Sequence, residues 1–369
     1  MPDAAHASHG EDVQDRREIS VEALAQKLAG GDAAFVVIDV REQDEVALAR
    51  VPAALHVPLA RALSGLPLNL EKTSTIALMC ASGARAARAR DALSSQGYTD
   101  VRIVSGGMTA WLAGGHPATG SAVPSAHTMS RYDRQMRLPE VGAVGQAKLG
   151  RAKVAVVGAG GLGCPVLLYL AAAGVGHLTI VDGDTVALDN LHRQVLYGTA
   201  DVGADKVHAA KASLLRGSPH VTIDARRERL TETNARDVLQ GHDVLVDATD
   251  NYAARRALND ASCMLSIPSV FGAVSRFAGE VLTHVPKVSA CYACLHPAPP
   301  GPGLARTCAE EGVLGVVPGI VGVLQANEVL KLLLGFGTPL TGRLLVFDAH
   351  ATTFRTLALD RVPTCASCG

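Results

Sequence analysis

The sequence lacks a charge imbalance, a cysteine-rich framework and an internal repeat, and each absence narrows what the chain can be. Thirty-four Lys+Arg against 35 Asp+Glu leave a formal net charge of −1 over 369 residues. No basic surface field points to nucleic acid or an anionic membrane as a partner. Eight cysteines are too sparse for a secreted disulfide scaffold. Four of them form two CxxC pairs, which points to metal in a reducing, cytoplasmic compartment. The opening stretch MPDAAHASHGEDVQDRRE is polar and acidic without an apolar core, so it is not expected to be a signal peptide. A hydrophobic content of 48% against 19% charged residues excludes global disorder, and the length suggests two domains, possibly three.

Long uncharged runs are also scarce. Val154 to Gly176 is 23 residues without a charge, and a membrane span needs about 20. This run contains GAGGLGCP, however, and breaks into a strand, a glycine-rich turn and a short helix, with Asp182 and Asp184 soon after. It reads as a buried βα unit.

Residues 118–128 have linker chemistry, rich in Pro, Ser, Ala and Gly. Before them, Phe35–Val40, Thr75–Cys80 and Val101–Val104 read as short buried parallel strands, with helices over Val21–Ala29 and Ala84–Ser95. That alternation marks a small α/β domain over residues 17–117, after a disordered tail at 1–16. From residue 129 the rhythm restarts. Strands are expected at Lys153–Val157, His177–Asp182 and Val244–Ala248, and helices to about Ala173, over Lys206–Arg216 and over Tyr252–Leu265. Alternating strands follow from Ser269, then an apolar helix at Ile320–Leu334 and a hairpin over Arg343–Leu359. This second domain fills 129–369.

Cys80 ends a strand and begins Cys-Ala-Ser-Gly-Ala-Arg, after which a helix starts. Backbone N–H groups and the helix N-terminus would favour its thiolate, and Arg85 can supply a cation at the rim. Such a thiol suits a nucleophile that carries a persulfide; the plainer alternative is a buried strand-end cysteine. Together with Asp39-Val40-Arg41-Glu42 and Gly106-Gly107-Met108-Thr109-Ala110-Trp111, the loop resembles that of a rhodanese domain. The segment departs from that pattern at Val51-Pro52-Ala53-Ala54, Ala81 and Ala86, which bears on free thiosulfate chemistry more than on persulfide carriage.

In the second domain Gly158, Gly160, Gly161 and Gly163 follow a strand and open a helix, an arrangement that lets a phosphate chain approach backbone. Asp182 can accept ribose hydroxyls. This much fits an NAD-dependent oxidoreductase equally well. Asn190, Arg193, Lys206 and the pair Asp250-Asn251 favour a triphosphate, since Arg193 and Lys206 can neutralise phosphates and Asp250 can hold Mg²⁺. There is no Walker A sequence. Cys291, Cys294, Cys365 and Cys368 supply four thiolates for a structural Zn²⁺. Cys164 and Cys263, in apolar helical segments, read as core residues.

With Arg131-Tyr132-Asp133-Arg134-Gln135, these motifs resemble the MoeB/ThiF family of ubiquitin-activating-type adenylyltransferases. The resemblance implies an α/β fold: a Rossmann-like adenylation domain with a mixed sheet, preceded by the smaller rhodanese-like domain. It further implies ATP, Mg²⁺ and Zn²⁺, and a ubiquitin-like sulfur carrier whose C-terminal glycine carboxylate attacks the α-phosphate. A homodimer in which Arg134 reaches the partner's ATP is implied as well, and Cys308 stands where some relatives carry a catalytic cysteine. A sulfur donor such as a cysteine desulfurase would load Cys80. The carrier is expected to be the molybdopterin-synthase small subunit, with the same chemistry on a thiamine-type or other sulfur carrier as the alternative. Two further rivals are an NAD-dependent oxidoreductase with a rhodanese module and a non-catalytic protein in which both domains are degenerate.

Overall fold

The computed structural model describes residues 17–31, 35–66, 70–120, 126–299, 301 and 312–369. It divides into two compact units between Lys148 and Leu149. Cys308 lies outside the described residues.

The first unit is built on five parallel strands: β1 (Glu18–Ile19), β2 (Phe35–Asp39), β3 (Leu55–His56), β4 (Thr75–Met79) and β5 (Asp100–Val104), in the order β1-β5-β4-β2-β3. Helices α1 (Val21–Gly30), α2 (Gln43–Leu48), α3 (Leu59–Ser64), α4 (Ala84–Ser95) and α5 (Gly107–Ala113) connect and cover them. The central strands are apolar on both faces, as a covered parallel sheet requires. Two helices, α6 (Ala126–Met136) and α7 (Gly142–Leu149), follow. Tyr132, Met136, Ala143 and Val144 join the core that contains Trp111 and Met108. The stretch Pro117–Gly120 is pinned down: Trp111 Nε1 donates to the Pro117 carbonyl at 2.9 Å, and Arg50 and Thr119 exchange backbone bonds.

The second unit carries an eight-stranded mixed sheet. Its strands are β6 (Lys153–Val157), β7 (His177–Val181), β8 (Thr222–Arg226), β9 (Val244–Asp247), β10 (Ser269–Ser275), β11 (Ala278–His284), β12 (Arg343–Asp348) and β13 (Thr353–Ala358), in the order β13-β12-β11-β10-β9-β6-β7-β8. Strands β8 to β10 across the sheet are parallel, and β10 to β13 antiparallel. The helices are α8 (Gly163–Ala173), α9 (Lys206–Gly217), α10 (Ala235–Leu239), α11 (Tyr252–Leu265), α12 (Tyr292–Leu295) and α13 (Val316–Leu334). The chain reverses its direction of growth between β6 and β9. In open α/β sheets that reversal leaves a crevice at the carboxyl ends of the strands, where ligands bind.

The uncharged run is the strand β6, the turn and the helix α8, with Val154, Val156, Leu167 and Leu170 fully buried. Helix α13 is long and apolar enough by composition to cross a membrane. It nevertheless packs on the sheet and buries two polar side chains. Gln325 donates to the Asp247 carbonyl at 2.7 Å, and Glu328 accepts from Thr283 Oγ1 at 2.8 Å and Leu340 N at 2.6 Å. It begins four residues before the expected Ile320. Pro318 is tolerated because a first-turn residue needs no intrahelical N–H donor.

Gly163 is among the tightest points of the unit. A Cβ there would overlap the Gly158 carbonyl oxygen, which is backbone and has no rotamer to escape into. Gly163→Ala is therefore expected to destabilise this unit by about 1–3 kcal/mol or more. Chemical denaturation followed by a probe specific to the second unit checks this; an unchanged midpoint would refute the tight turn.

Candidate functional site

In the first unit, Cys80 is 1% exposed at the end of β4. Its Sγ accepts the Gly83 N–H at 3.1 Å and the Ala86 N–H at 3.4 Å, both at the N-terminus of α4. The loop is fixed from the other side by α5, whose Met108 and Thr109 N–H groups donate to the carbonyls of Cys80 and Ala81 at 2.8 and 3.1 Å. Two amides and a helix terminus thus face the sulfur.

Arg85 is engaged elsewhere. Its guanidinium forks onto Glu45, Nη1 to Oε2 at 2.6 Å and Nη2 to Oε1 at 2.8 Å. Burial acts to raise the Glu45 pKa, but its hydrogen bonds to Arg85 and to the Glu42 N–H prevail and hold it below the ordinary carboxylate value. The Asp39-Val40-Arg41-Glu42 motif turns out to be scaffold. Arg41 is fully buried, paired with Asp39 through Nη2–Oδ2 at 2.6 Å, and donates to the carbonyls of Ala49 and Glu45 at 2.7 and 3.4 Å. Arg134, on α6, extends into solvent with its side chain 92% exposed.

The second unit gathers the nucleotide-site candidates at the crevice. Gly158 lies against the loop after β9: a Cβ on it would stand 2.5 Å from the Ala248 oxygen and 3.1 Å from Thr249 N. That contact sets the Asp250 loop beside the glycine turn. Gly160 is open by comparison, with Gln194 Nε2 at 3.7 Å from a hypothetical Cβ, and Gly161 faces Pro318 at 3.2 Å and Arg193 Cδ at 3.4 Å. Asp182 clamps the turn through Oδ2, which accepts Ala159 N at 2.8 Å, while Oδ1 accepts Asp184 N at 2.8 Å.

Lys206 opens α9 and is only 6% exposed. Its ammonium sits 3.2 Å from Asp184 and 4.0 Å from Asp182. For Asp184, burial works upward, yet Lys206 and Arg229 hold the carboxyl below its ordinary value. Asn190 ends the short helical turn Leu188–Asn190 after β7, and Arg193 lies in the turn that follows it. Asn190 Oδ1 accepts Gln194 Nε2 at 2.8 Å, and Arg193 donates to the Asp189 carbonyl at 3.2 Å. Asp250 is exposed at the crevice rim, while the Asn251 oxygen caps α11 by accepting Ala254 N at 2.9 Å.

Several residues near these loops carry no role read from sequence. Asp247 is fully buried, and burial pushes its pKa up. Arg255 stands 3.3 Å from Asp247 and donates to the carbonyls of Thr249 and Gly272 at 2.7 and 2.9 Å, bracing the Asp250 loop. The buried oxygen Gln194 Oε1 has no hydrogen-bond partner among the described residues. Both Asp247 and Gln194 are buried, which a linear sequence does not reveal.

The four CxxC cysteines converge. Their sulfurs lie within 4.8 Å of one another, with separations of 3.9, 3.7 and 3.5 Å for Cys291–Cys294, Cys291–Cys365 and Cys294–Cys368. A disulfide would require about 2.05 Å. A zinc tetrahedron with bonds of about 2.3 Å has edges near about 3.8 Å, so the donor set fits Zn²⁺. Cys164 is a core residue, as expected, and burial pushes its thiol up to about 12. Cys263 is only half-buried and contacts His284 Nε2 at 3.5 Å, so it is less of a core residue than its helix suggested.

A model described as the ThiF family matches residues 132–367. The chain belongs to the ThiF family. A Rhodanese-like domain model matches residues 20–114. Among curated ThiF relatives, a sulfur carrier protein adenylyltransferase of Thermus thermophilus is 50% identical over 246 residues, covering 65% of this chain and 91% of the relative. An adenylyltransferase and sulfurtransferase MOCS3 of Culex quinquefasciatus is 46% identical over 241 residues, and the match covers 65% of this chain and 55% of that one. The chain thus spans about half the length of that larger relative. A SAMP-activating enzyme E1 of Haloferax volcanii is 46% identical over 244 residues, or 66% of this chain and 90% of that protein. The fold is shared with the E. coli MccB structure with ATP, at a TM-score of 0.57 and 23% identity over 67% of this chain and 76% of that one.

The sulfur cluster yields a direct test. Purified protein is expected to hold a single zinc per chain, and Cys365→Ser to lose most of it and to unfold at lower temperature. Elemental analysis with a thermal melt checks both, and full zinc retention in the variant would remove Cys365 from the ligand set.

Proposed function

We propose that the protein activates the C-terminal glycine of a ubiquitin-like sulfur carrier with ATP and converts it to a thiocarboxylate with sulfur carried on Cys80. The observation that supports this most is the pairing, in one chain, of a ThiF crevice lined by Arg193, Lys206 and Asp250 with an amide-cradled thiol. In this reading Gly158, Gly160, Gly161 and Gly163 form the floor for the phosphates. Asp182 orients the turn and meets the ribose, and Asn190, Arg193 and Lys206 line the nucleotide. Asn251 fixes the start of α11 beside Asp250. The exposed Asp250 carboxylate suits Mg²⁺, a hard cation that binds through one or two carboxylates and keeps phosphate and water oxygens.

The carrier carboxylate forms a bond to the α-phosphorus, and the bond to the β-phosphate oxygen breaks. Pyrophosphate leaves, and an acyl-adenylate remains. The chain supplies no nucleophile for this step; positioning and charge neutralisation carry it. The terminal sulfur of the Cys80 persulfide then bonds to the acyl carbon and AMP departs. An external thiol attacks the Cys80 sulfur and forms a mixed disulfide with it, the original sulfur–sulfur bond breaks and the thiocarboxylate leaves. A second thiol reduces the mixed disulfide and restores Cys80. We further propose that the molybdopterin-synthase small subunit is the carrier and that a cysteine desulfurase supplies the sulfur. A homodimer would place Arg134 at the partner's nucleotide, and the enzyme would work in the cytoplasm. Zinc would hold the four cysteines together and stay out of the chemistry, because four thiolates leave no open position.

Two substitutions separate the half-reactions. Asp250→Ala should cut pyrophosphate release by about 10²-fold or more; wild-type release would remove Asp250 from the metal site. Cys80→Ala should leave AMP formation intact and abolish thiocarboxylate, read as the mass of the intact carrier. Loss of both activities would sink the division of labour.

A further inference from the structure

The loop from Cys80 to Arg85 contains a single charged residue, Arg85. A free cation there would attract the dianionic end of a donor such as thiosulfate. In this structure it is not free. Both of its outer nitrogens are bound to the two oxygens of Glu45. Glu45 in turn is held in place. Its Oε2 also accepts the Glu42 N–H at 3.1 Å, and the carbonyls of its helix are fixed by the buried Arg41. The Glu45 side chain is 11% exposed and that of Arg85 29%, so the pair is substantially shielded from solvent. Bidentate geometry of this kind is among the stronger forms of arginine recognition.

We propose that Glu45 sets the donor specificity of Cys80: by neutralising Arg85 it leaves only backbone amides facing the sulfur, and so favours a persulfide donor over a sulfur oxyanion. This deepens the sulfur-carrier reading and rests on it. With a persulfide, the Cys80 thiolate bonds to the terminal sulfur, the donor's sulfur–sulfur bond breaks, and a thiolate monoanion leaves. With thiosulfate the same attack must expel sulfite, a dianion, beside an arginine whose charge Glu45 already balances. Partial positive charge from two amides suits the first leaving group better than the second. Glu45 acts here through Arg85, as a specificity and positioning residue.

The test uses the full chain and two defined donors, thiosulfate and cysteine persulfide, with Cys80 persulfide formation read as the gain of one sulfur atom by intact mass. Wild-type protein should load faster from the persulfide, and a preference for thiosulfate overturns the proposal without any variant. Glu45→Gln keeps a hydrogen-bond acceptor for Arg85 and removes the charge. It should raise the thiosulfate-to-persulfide ratio of loading rates at least about fivefold, as expected for one uncompensated charge near a dianion. The double variant Glu45→Gln/Arg85→Gln should lose that gain. A structural role for Glu45 alone would slow both donors together and leave the ratio unchanged, which would overturn the proposal. Failure of both donors to load wild-type Cys80 would instead overturn the sulfur-carriage reading itself.

Discussion

The crevice depends on backbone meeting backbone. The turn after β6 and the loop after β9 touch where Gly158 approaches the Ala248 carbonyl, with no side chain between them. β6 and β9 are neighbours in the sheet, with Val157 opposite Asp247, 90 positions further along, and this pairing together with the Gly158–Ala248 contact brings the glycine turn and Asp250 to one rim. Everything else at the site hangs from it. Asp182 tethers the turn through Ala159, Lys206 sits beside Asp182 and Asp184, and Arg255 holds the carbonyls that flank Asp250.

The two units solve a related problem with different means. In the proposed chemistry each holds negative charge at the end of a parallel strand. The sulfur loop does so with neutral groups, since its one arginine is already paired. The nucleotide crevice keeps formal charges, Lys206 buried against acids and Arg193 over the glycine turn. A thiolate or persulfide carries a single charge on a large polarisable atom, and amide dipoles can satisfy it. A triphosphate concentrates several charges, and dipoles alone are insufficient.

Much of this was legible in the sequence because local pattern and tertiary position agreed. The strands at Lys153–Val157 and Thr75–Met79 are apolar on both faces, and their turns carry glycine where backbone must pass close. The strand Thr222–Arg226 escaped notice because it is an edge strand, paired only to β7 and half-exposed, so its composition, TIDAR, reads as loop. The two-residue strands β1 and β3 carry too little pattern to register at all. Within the sites, the cysteine, glycine and acidic motifs are short and contiguous, and could be read. Arg85 was read as a rim cation because its partner Glu45 lies 40 residues away. Likewise nothing in the sequence links Gln325 to Asp247, 78 residues apart, although that bond pins α13 to the strand leading to Asp250. Long-range pairing is where a linear reading stops.

The state of Cys164 has a consequence for a protein that handles reactive sulfur. This thiol lies directly under the glycine turn, donating to the Ala159 carbonyl at 3.5 Å, and burial keeps it protonated throughout the physiological range. Sulfur exchange proceeds through thiolates, so a thiol that does not ionise neither captures sulfur nor forms mixed disulfides. Cys164 is thereby poorly suited to sulfur exchange. The glycine turn thus rests on a sulfur that stays out of thiol exchange.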